Sequence, residues 1–229
     1  MMRVIFLDID GVLNSCQYNL WLRETKGEND DLWLEYRSTS EEDFSSYEKM
    51  LCQYCCTNLR HILKTYPDVR IVVSSTWRNG RSIEKLNALL KYHKIFDSDE
   101  DKVIGKTPSL HKERGLEIFD WLSNNPNVSD FIILDDDSDM DMYLDTPHFL
   151  QTNGKVGFDY LAMEYVDKYF GGFNLKFDDV VEGVPYKMYS KLRSQNYFRE
   201  GNEMVYYENG TRHSVFFYPN FDIFSKVVV

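Results

Sequence analysis

The chain has 229 residues, enough for one α/β domain with an appendage or for two small domains. An apolar fraction of 43% and an aromatic fraction of 15% can supply a buried core, which excludes a wholly disordered chain. The net charge of -11 disfavours binding to extended nucleic-acid tracts and to acidic membranes. Since no apolar run approaches the roughly 20 residues that cross a bilayer and no signal-peptide pattern is present, we expect a cytoplasmic protein without membrane contact.

Three short apolar runs rich in β-forming residues are each followed by oxygen-bearing side chains. The runs and their successors are residues 3–7 before Asp8, Ile9, Asp10 and Gly11, residues 69–73 before Ser74, Ser75 and Thr76, and residues 131–134 before Asp135, Asp136 and Asp137. Such runs are typical of buried parallel strands. Ligands of parallel sheets bind outside the carboxyl ends of the strands, so we expect these polar groups to converge on one site.

Helical periodicity separates the three runs. A capping box, Ser45 to Glu48, predicts the start of a helix that ends near Pro67. Apolar residues at helical spacing mark two more helices, within residues 83–90 and 116–122. The β-α-β-α-β alternation predicts an α/β fold, a Rossmann-like parallel sheet with helices on both faces.

The cysteines of the first predicted helix have two interpretations. Cys52 and Cys55 have the Cys-x2-Cys spacing of half a zinc site, with His61 nearby, but a second such pair is missing. Cys52, Cys55, Cys56 and Leu59 also follow the i, i+3, i+4, i+7 spacing of a buried helix stripe, in which a thiol behaves as a small hydrophobe. The stripe is the favoured interpretation.

Two segments depart from the alternation. Within a core of residues 1–170, the acidic and aromatic residues 15–44 directly follow the first strand, where we expect a cap or flap insert. Residues 171–229 form a predicted C-terminal β-rich extension, because two strand-like runs flank the turn signal Asn209-Gly210. A hairpin module is the expected form of this extension.

The strand ends carry a recognisable set of motifs. Paired carboxylates such as Asp8 and Asp10 can hold a cation or divide the work of nucleophile and proton donor. The string FLDIDGVLN, residues 6–14, resembles the first motif of the haloacid dehalogenase (HAD) superfamily. Ser74 or Ser75 resembles the second motif, a basic residue before the third helix the third, and Asp135-Asp136 the fourth.

More narrowly, several strings resemble the HAD domains of RNA-repair proteins and similar small phosphatases. They are SSTWR at residues 74–78, RGLEI at 114–118 with WL at 121–122, and ILDDD at 133–137. The likeness covers about residues 3–170 and is absent from the extension. The long acidic insert after Asn14 departs from the common pattern of the superfamily.

The resemblance implies a role for each motif residue. Asp8 would attack phosphorus to form an aspartyl-phosphate, while Asp10 would protonate the leaving oxygen and later activate water. Ser74 or Ser75 would hydrogen-bond a phosphoryl oxygen, and Lys112 or Arg114 would balance the charge. The implied cofactor is Mg²⁺, with metal ligands from Asp8, Asp10 through its carbonyl, Asp135 and Asp136. The expected substrate-contacting residues are Gly11, Trp77, whose ring is either a platform for a base or a packing group, and Arg78.

We therefore expect a Mg-dependent phosphatase whose substrate is a nucleotide or a nucleic-acid terminal phosphate. The prediction of the substrate rests on the family resemblance and on a local set of cations, Arg78, Arg81, Lys106, Lys112 and Arg114. One alternative is a phosphotransferase that shares the aspartyl-phosphate. Another is a non-catalytic protein that binds a partner through the acidic insert or the aromatic tail. The sequence carries no indication of the oligomeric state.

Overall fold

The computed structural model describes residues 2–26, 44, 48, 50–97, 99–110, 113–144, 146–171, 182, 186–188, 198–215 and 224–226. The predicted insert lies outside these residues except for positions 15–26 and 44. Lys112, one of the two candidates for the third motif, also lies outside them.

The centre of the structure is a five-stranded parallel sheet, as predicted. Its strands are β1 (Met2–Leu7), β2 (Val69–Val73), β3 (Val103–Lys106), β4 (Val128–Asp135) and β5 (Phe149–Gln151). They lie in the order β3-β2-β1-β4-β5, with β1 in the middle between β2 and β4. Because helices cover both faces of such a sheet, its central strands are apolar on both sides, as the runs in the sequence indicated.

Helices connect the strands. They are α1 (Cys16–Lys26), α2 (Gln53–Thr65), α3 (Ile83–Tyr92), α4 (Arg114–Ser123) and α5 (Tyr160–Gly171), with short 3-10 helices at Thr76–Arg78 and Asp141–Tyr143. Alternate residues of β1 belong to two apolar cores: Ile5 and Leu7 to one, Val4 and Phe6 to the other. No helix among the described residues is long and apolar enough to cross a bilayer.

The helix α2 begins later than the sequence predicted. Residues 50–52 are irregular, Cys52 is the N-cap, and Ser45 of the expected capping box lies outside the described residues. The predicted stripe is nevertheless correct, because Cys55, Cys56 and Leu59 are completely buried in the larger apolar core. These thiols therefore occupy the positions of small hydrophobic side chains.

The C-terminal extension contains a separate antiparallel sheet of three strands, β7 (Phe198–Glu200), β8 (Glu203–Glu208) and β9 (Thr211–Val215). Asn209 and Gly210 both have positive φ, +50° and +78°, as a two-residue hairpin turn of the I′ type requires. A hairpin is present at this turn, as predicted, and its second strand starts directly after Gly210. A further antiparallel pair joins β6 (Tyr186–Met188) to β10 (Phe224–Lys226).

A buried ion pair ties the end of β2 to α4. Arg78, only 6% exposed, pairs with Glu117 at 2.5 Å and also donates to the carbonyl oxygens of Thr107 and Ser74. A second oxygen of Glu117 accepts the backbone N–H of Leu110 at 2.8 Å. The guanidinium and carboxylate therefore satisfy each other and nearby backbone groups, which offsets the cost of removing both charges from water.

Replacing one member of this pair is expected to destabilise the protein strongly. Arg78→Met leaves the Glu117 carboxylate buried without its cation, so the free energy of unfolding falls by about 3–5 kcal/mol in urea denaturation. Lys168→Met is the control, because the Lys168–Glu164 pair is exposed and its loss costs less than about 1 kcal/mol. Similar losses in the two variants would contradict the structural role of Arg78, and the double change Arg78→Met with Glu117→Leu should recover part of the stability.

Candidate active site

The ends of the three central strands lie side by side. The backbone N–H of Asp8 donates to Leu134 at 2.9 Å, and the N–H of Ser74 donates to Leu7 at 3.0 Å. Hydrogen bonding thus continues one residue beyond each strand and places Asp8 between Ser74 and Asp135. The polar groups that follow different strands in the sequence therefore lie at the same edge of the sheet.

A single guanidinium bridges two of the carboxylates. Arg114 Nη1 donates to Asp8 Oδ1 at 2.8 Å and to Asp135 Oδ2. Arg114 is the first residue of α4, and Gly115 allows that end of the helix to pack closely, since a Cβ there would lie 3.2 Å from the backbone of Met140. Of the two cations proposed for the third motif, Arg114 contacts two carboxylates of the site, whereas Lys112 lies outside the described residues.

Asp139 is a site residue that the sequence analysis missed. Its Oδ2 accepts the N–H of Arg114 at 3.4 Å, its carbonyl accepts the N–H of Gly115 at 3.1 Å, and its Oδ1 lies 4.0 Å from Arg114 Nε. It holds the first turn of α4 in the absence of a side-chain cap from Glu113. The acidic run that begins at Asp135 was a signal for it, but we assigned roles only to the first two members.

Three carboxylates are arranged to hold a cation. Asp8, Asp135 and Asp136 each offer an oxygen, and these atoms all lie within 4.8 Å of one another. A Cβ at Gly11 or Gly154 would overlap the Asp136 carboxyl group, so two glycines make the space that this side chain occupies. Such a set of hard oxygen donors fits Mg²⁺.

The carboxylate of Asp10 does not belong to this group and has different partners. Its Oδ1 accepts from Asn14 Nδ2 at 3.0 Å, and its Oδ2 accepts from the indole Nε1 of Trp77 at 2.9 Å. Asn14 is held in turn by Asn19 of α1, at 2.7 Å. The two aspartates of the first motif therefore have different hydrogen-bond partners: Asp8 accepts from Arg114, and Asp10 accepts from the neutral groups of Asn14 and Trp77.

The two serines after β2 also differ. The Ser75 hydroxyl accepts the backbone N–H of Trp77 at 3.4 Å, and its hydrogen bonding to Asp8 lowers the pKa of that carboxyl group against the larger effect of burial. The Ser74 hydroxyl is completely buried and has no hydrogen-bond partner among the described residues. Burying a hydroxyl without a hydrogen-bond partner costs free energy. Ser74 is therefore the better candidate to donate a hydrogen bond to an oxygen of a ligand.

Two of the three predicted substrate-contacting residues have other positions. A platform for a base needs an exposed ring face, and Trp77 is only 5% exposed, which favours the packing interpretation of its ring. Arg78 is engaged with Glu117 and backbone carbonyls, as described above. Gly11, with φ of +73°, packs against Asp136, and its carbonyl accepts a hydrogen bond from Thr152 at 3.0 Å.

The predicted set of local cations is largely satisfied inside the protein. Arg81 pairs with the buried Glu48 at 2.7 Å, and Lys106 donates to the carbonyl oxygens of Arg78 and Arg81. Among the members of the set that the structure describes, which exclude Lys112, Arg114 contacts the carboxylates of the site. These cations therefore bind groups of the protein itself rather than forming a positively charged surface around the site.

Burial and mutual repulsion favour the protonated forms of the central carboxylates. Removal from water, followed by the charge of Asp135, raises the pKa of Asp8 to about 8, although Arg114 opposes the shift. Burial likewise raises the pKa of Asp135 to about 6, again against the effect of Arg114. One guanidinium does not fully neutralise this group, so a second cation would be electrostatically favourable.

Comparison with known proteins agrees with this geometry. The sequence model of a family described as the HAD domain in Swiss Army Knife RNA repair proteins matches residues 4–160. The chain belongs to this family. Membership makes it a HAD-type hydrolase in the broad sense, and HAD domains generally use Mg²⁺. No curated protein and no solved structure was found to match the chain.

The titration of Asp8 predicts how stability depends on pH in the absence of metal. Because the pKa of this HAD nucleophile candidate is raised from 3.8 to about 8, the folded state binds more protons than the unfolded state between these values. Its contribution to stability is complete below about pH 4 and is lost as the pH rises through about 8. As the pH rises, the free energy of unfolding should therefore fall less steeply in Asp8→Asn than in the wild type. The measurement is urea denaturation in the presence of a chelator. Parallel pH profiles for the two proteins would contradict the shift.

The glycines beside Asp136 provide a test of the cation site. Gly154→Ala should displace the Asp136 carboxylate and weaken Mg²⁺ binding by about 10–100-fold in calorimetric titrations, with little loss of stability because the overlapping group is a side-chain end. Asp136→Ala is the matched control. The double variant should bind no more weakly than Asp136→Ala, since both changes remove the same ligand; additive losses would argue against this explanation.

Proposed function

We propose that the protein hydrolyses phosphate monoesters through an aspartyl-phosphate intermediate on Asp8. The observation that carries the proposal is the environment of this carboxylate: it lies in a group of three acidic oxygen donors, is paired with Arg114, and has Asp10 two residues further on. A nucleophilic carboxylate needs its charge and that of the phosphate balanced, and this arrangement supplies cationic and metal-binding groups for that purpose.

In the first step, an oxygen of Asp8 forms a bond to phosphorus while the bond from phosphorus to the leaving oxygen breaks. Asp10 gives its proton to that oxygen, which leaves as an alcohol. Asp10 then takes a proton from water as the water oxygen attacks phosphorus, and the bond between Asp8 and phosphorus breaks. Inorganic phosphate is released, and both aspartates return to their starting states.

Other residues orient the reacting groups. We propose that the buried Ser74 hydroxyl binds a phosphoryl oxygen and that Ser75 orients Asp8, in line with the different partners of the two serines. Arg114 shares its charge between Asp8 and the incoming phosphate. Asp8, Asp135 and Asp136 would hold Mg²⁺, which supplies charge neutralisation when bound.

A nucleotide or a nucleic-acid terminal phosphate is the proposed substrate. The family match favours a nucleic-acid end or a small phosphorylated molecule. A net charge of -11 and the internal pairing of Arg78 and Arg81 disfavour a long phosphate backbone, which needs many exposed cations. The proposal is therefore a terminal phosphate recognised at the site itself.

We also propose the division of the chain into a catalytic core of residues 1–170, an insert at 15–44 and an extension at 171–229. The family match over residues 4–160 supports the core. The separate antiparallel sheet β7-β8-β9 supports treating the extension as an additional module.

Phosphate release by the wild type and by Asp8→Asn, with and without Mg²⁺, tests the function. The panel contains aryl esters, mononucleotides and oligonucleotides phosphorylated at the 3′ or the 5′ end. We expect metal-dependent release that is lost in Asp8→Asn, and a phosphoenzyme that accumulates in Asp10→Asn. Ser74→Ala should lower kcat/KM by about 10²–10³-fold, as the loss of a hydrogen-bond donor to a developing charge does.

Ser75→Ala is the matched control for the role of the hydroxyl, and a smaller loss is expected there. Undiminished release by Asp8→Asn would refute the proposed nucleophile. Phosphate transfer to an added alcohol without net release would instead identify a phosphotransferase on the same scaffold.

A further inference from the structure

We infer that Trp77 is a positioning residue for Asp10, fixing the carboxylate of the general acid/base through its indole N–H. The inference rests on the proposed function, because it concerns how Asp10 performs its two proton transfers. It replaces a role in substrate binding, which the burial of Trp77 does not support.

Asp10 is held at both of its oxygens by neutral donors from different parts of the fold. Trp77, from the turn after β2, donates to Oδ2 at 2.9 Å, and Asn14, from the loop after β1, donates to Oδ1 at 3.0 Å. A short side chain on a loop otherwise rotates among several conformers. Two donors in fixed positions restrict it, which is the geometric requirement for efficient proton transfer.

Trp77 is itself held in place. It lies in the 3-10 helix Thr76–Arg78, where Ser75 caps its backbone N–H. The guanidinium of Arg81 lies 5.4 Å from its ring centroid and donates to its carbonyl at 2.8 Å, while Glu48 pairs with Arg81 at 2.7 Å. The indole N–H is therefore a rigid donor supported by a buried acidic residue.

The same turn contacts both aspartates of the first motif. Ser75 hydrogen-bonds Asp8, and Trp77, two residues later, hydrogen-bonds Asp10. A movement of this turn would change both contacts together. The turn thus lies beside both the nucleophile and the proton donor.

The chemistry of the donor also suits the task. An indole N–H donates but does not accept, and it does not ionise in the accessible pH range. It can orient Asp10 without taking its proton and without adding a charge. A lysine or arginine in the same place would add a positive charge beside a group that has to hold a proton in one step and give it up in the next.

The first experiment tests the contact without depending on activity. The chain contains four tryptophans, so the indole region of an NMR spectrum of the full-length protein holds four N–H signals, and the signal missing in Trp77→Phe is that of Trp77. We expect Asp10→Asn to shift this signal and Asp8→Asn to leave it in place. An unchanged Trp77 signal in Asp10→Asn would overturn the inference.

The second experiment measures the effect on the leaving group. Trp77→Phe keeps an aromatic ring beside Arg81 and removes the N–H together with the rest of the five-membered ring. Phenyl phosphate needs protonation of its leaving oxygen more than 4-nitrophenyl phosphate does, and kcat/KM includes only the steps up to departure of that group. We expect Trp77→Phe to lower kcat/KM for phenyl phosphate by about tenfold and to change the value for the nitrophenyl ester much less, since general acid catalysis contributes about 10²–10⁴-fold in total.

Trp121→Phe is the matched control. Its ring packs edge-on against Phe6, with the ring centroids 5.5 Å apart, in the apolar core that contains Val4 and Phe6. We expect Trp121→Phe to have small and equal effects on kcat/KM for both esters. Equal losses for the two esters in Trp77→Phe would overturn the positioning role and indicate a general structural effect. If the wild type released phosphate from neither ester, the proposed function would fail and the positioning role with it, while the NMR result would still decide whether the hydrogen bond exists.

Discussion

Two buried carboxylates, Asp8 and Asp135, repel each other at neighbouring strand ends, and Arg114 offsets their repulsion. The parallel register of β1 and β4 brings the carboxylates together, since the N–H of Asp8 donates to Leu134. Leaving both charged and unpaired in the interior would cost several kcal/mol. The close packing at Gly115 accompanies the approach of the start of α4 to the sheet, where Arg114 contacts both carboxylates.

Neighbouring side chains of the turn after β2 contact different parts of the structure. Ser75 contacts Asp8, Trp77 contacts Asp10, and Arg78 extends inward to Glu117 on α4. A 3-10 helix has three residues per turn, so neighbouring side chains point in different directions. One short segment thereby links the sheet, a flanking helix and both aspartates of the first motif.

The distribution of charge limits the kind of ligand that the core can recognise. Cations near the site are largely paired with Glu48, Glu117 or the site's own carboxylates. Arg114 is shared between Asp8 and Asp135 at the strand ends. Such internal pairing leaves few of these cations to follow an extended phosphate backbone, which is why a terminal phosphate is the proposed substrate.

The amino-acid sequence by itself determined the class of fold and the residues that meet at the strand ends. Apolar runs followed by Asp8, Ser74 and Asp135 were enough, because parallel strands place their carboxyl ends on one edge of the sheet. Helical spacing likewise located the buried Cys55 and Cys56, although the local capping signal failed to give the start of α2. These properties follow from period and order along the chain.

Only the tertiary structure decided which partner each polar group has. The sequence did not distinguish Ser74 from Ser75, did not assign Arg78 to Glu117, and left Trp77 between a base platform and a packing group. Each answer depends on contacts between residues far apart in the chain: 39 positions separate Arg78 from Glu117, and 67 separate Trp77 from Asp10. Periodicity reports which face a residue occupies, whereas a hydrogen bond depends on distances of a few tenths of an ångström, which are set when the helices pack against the sheet.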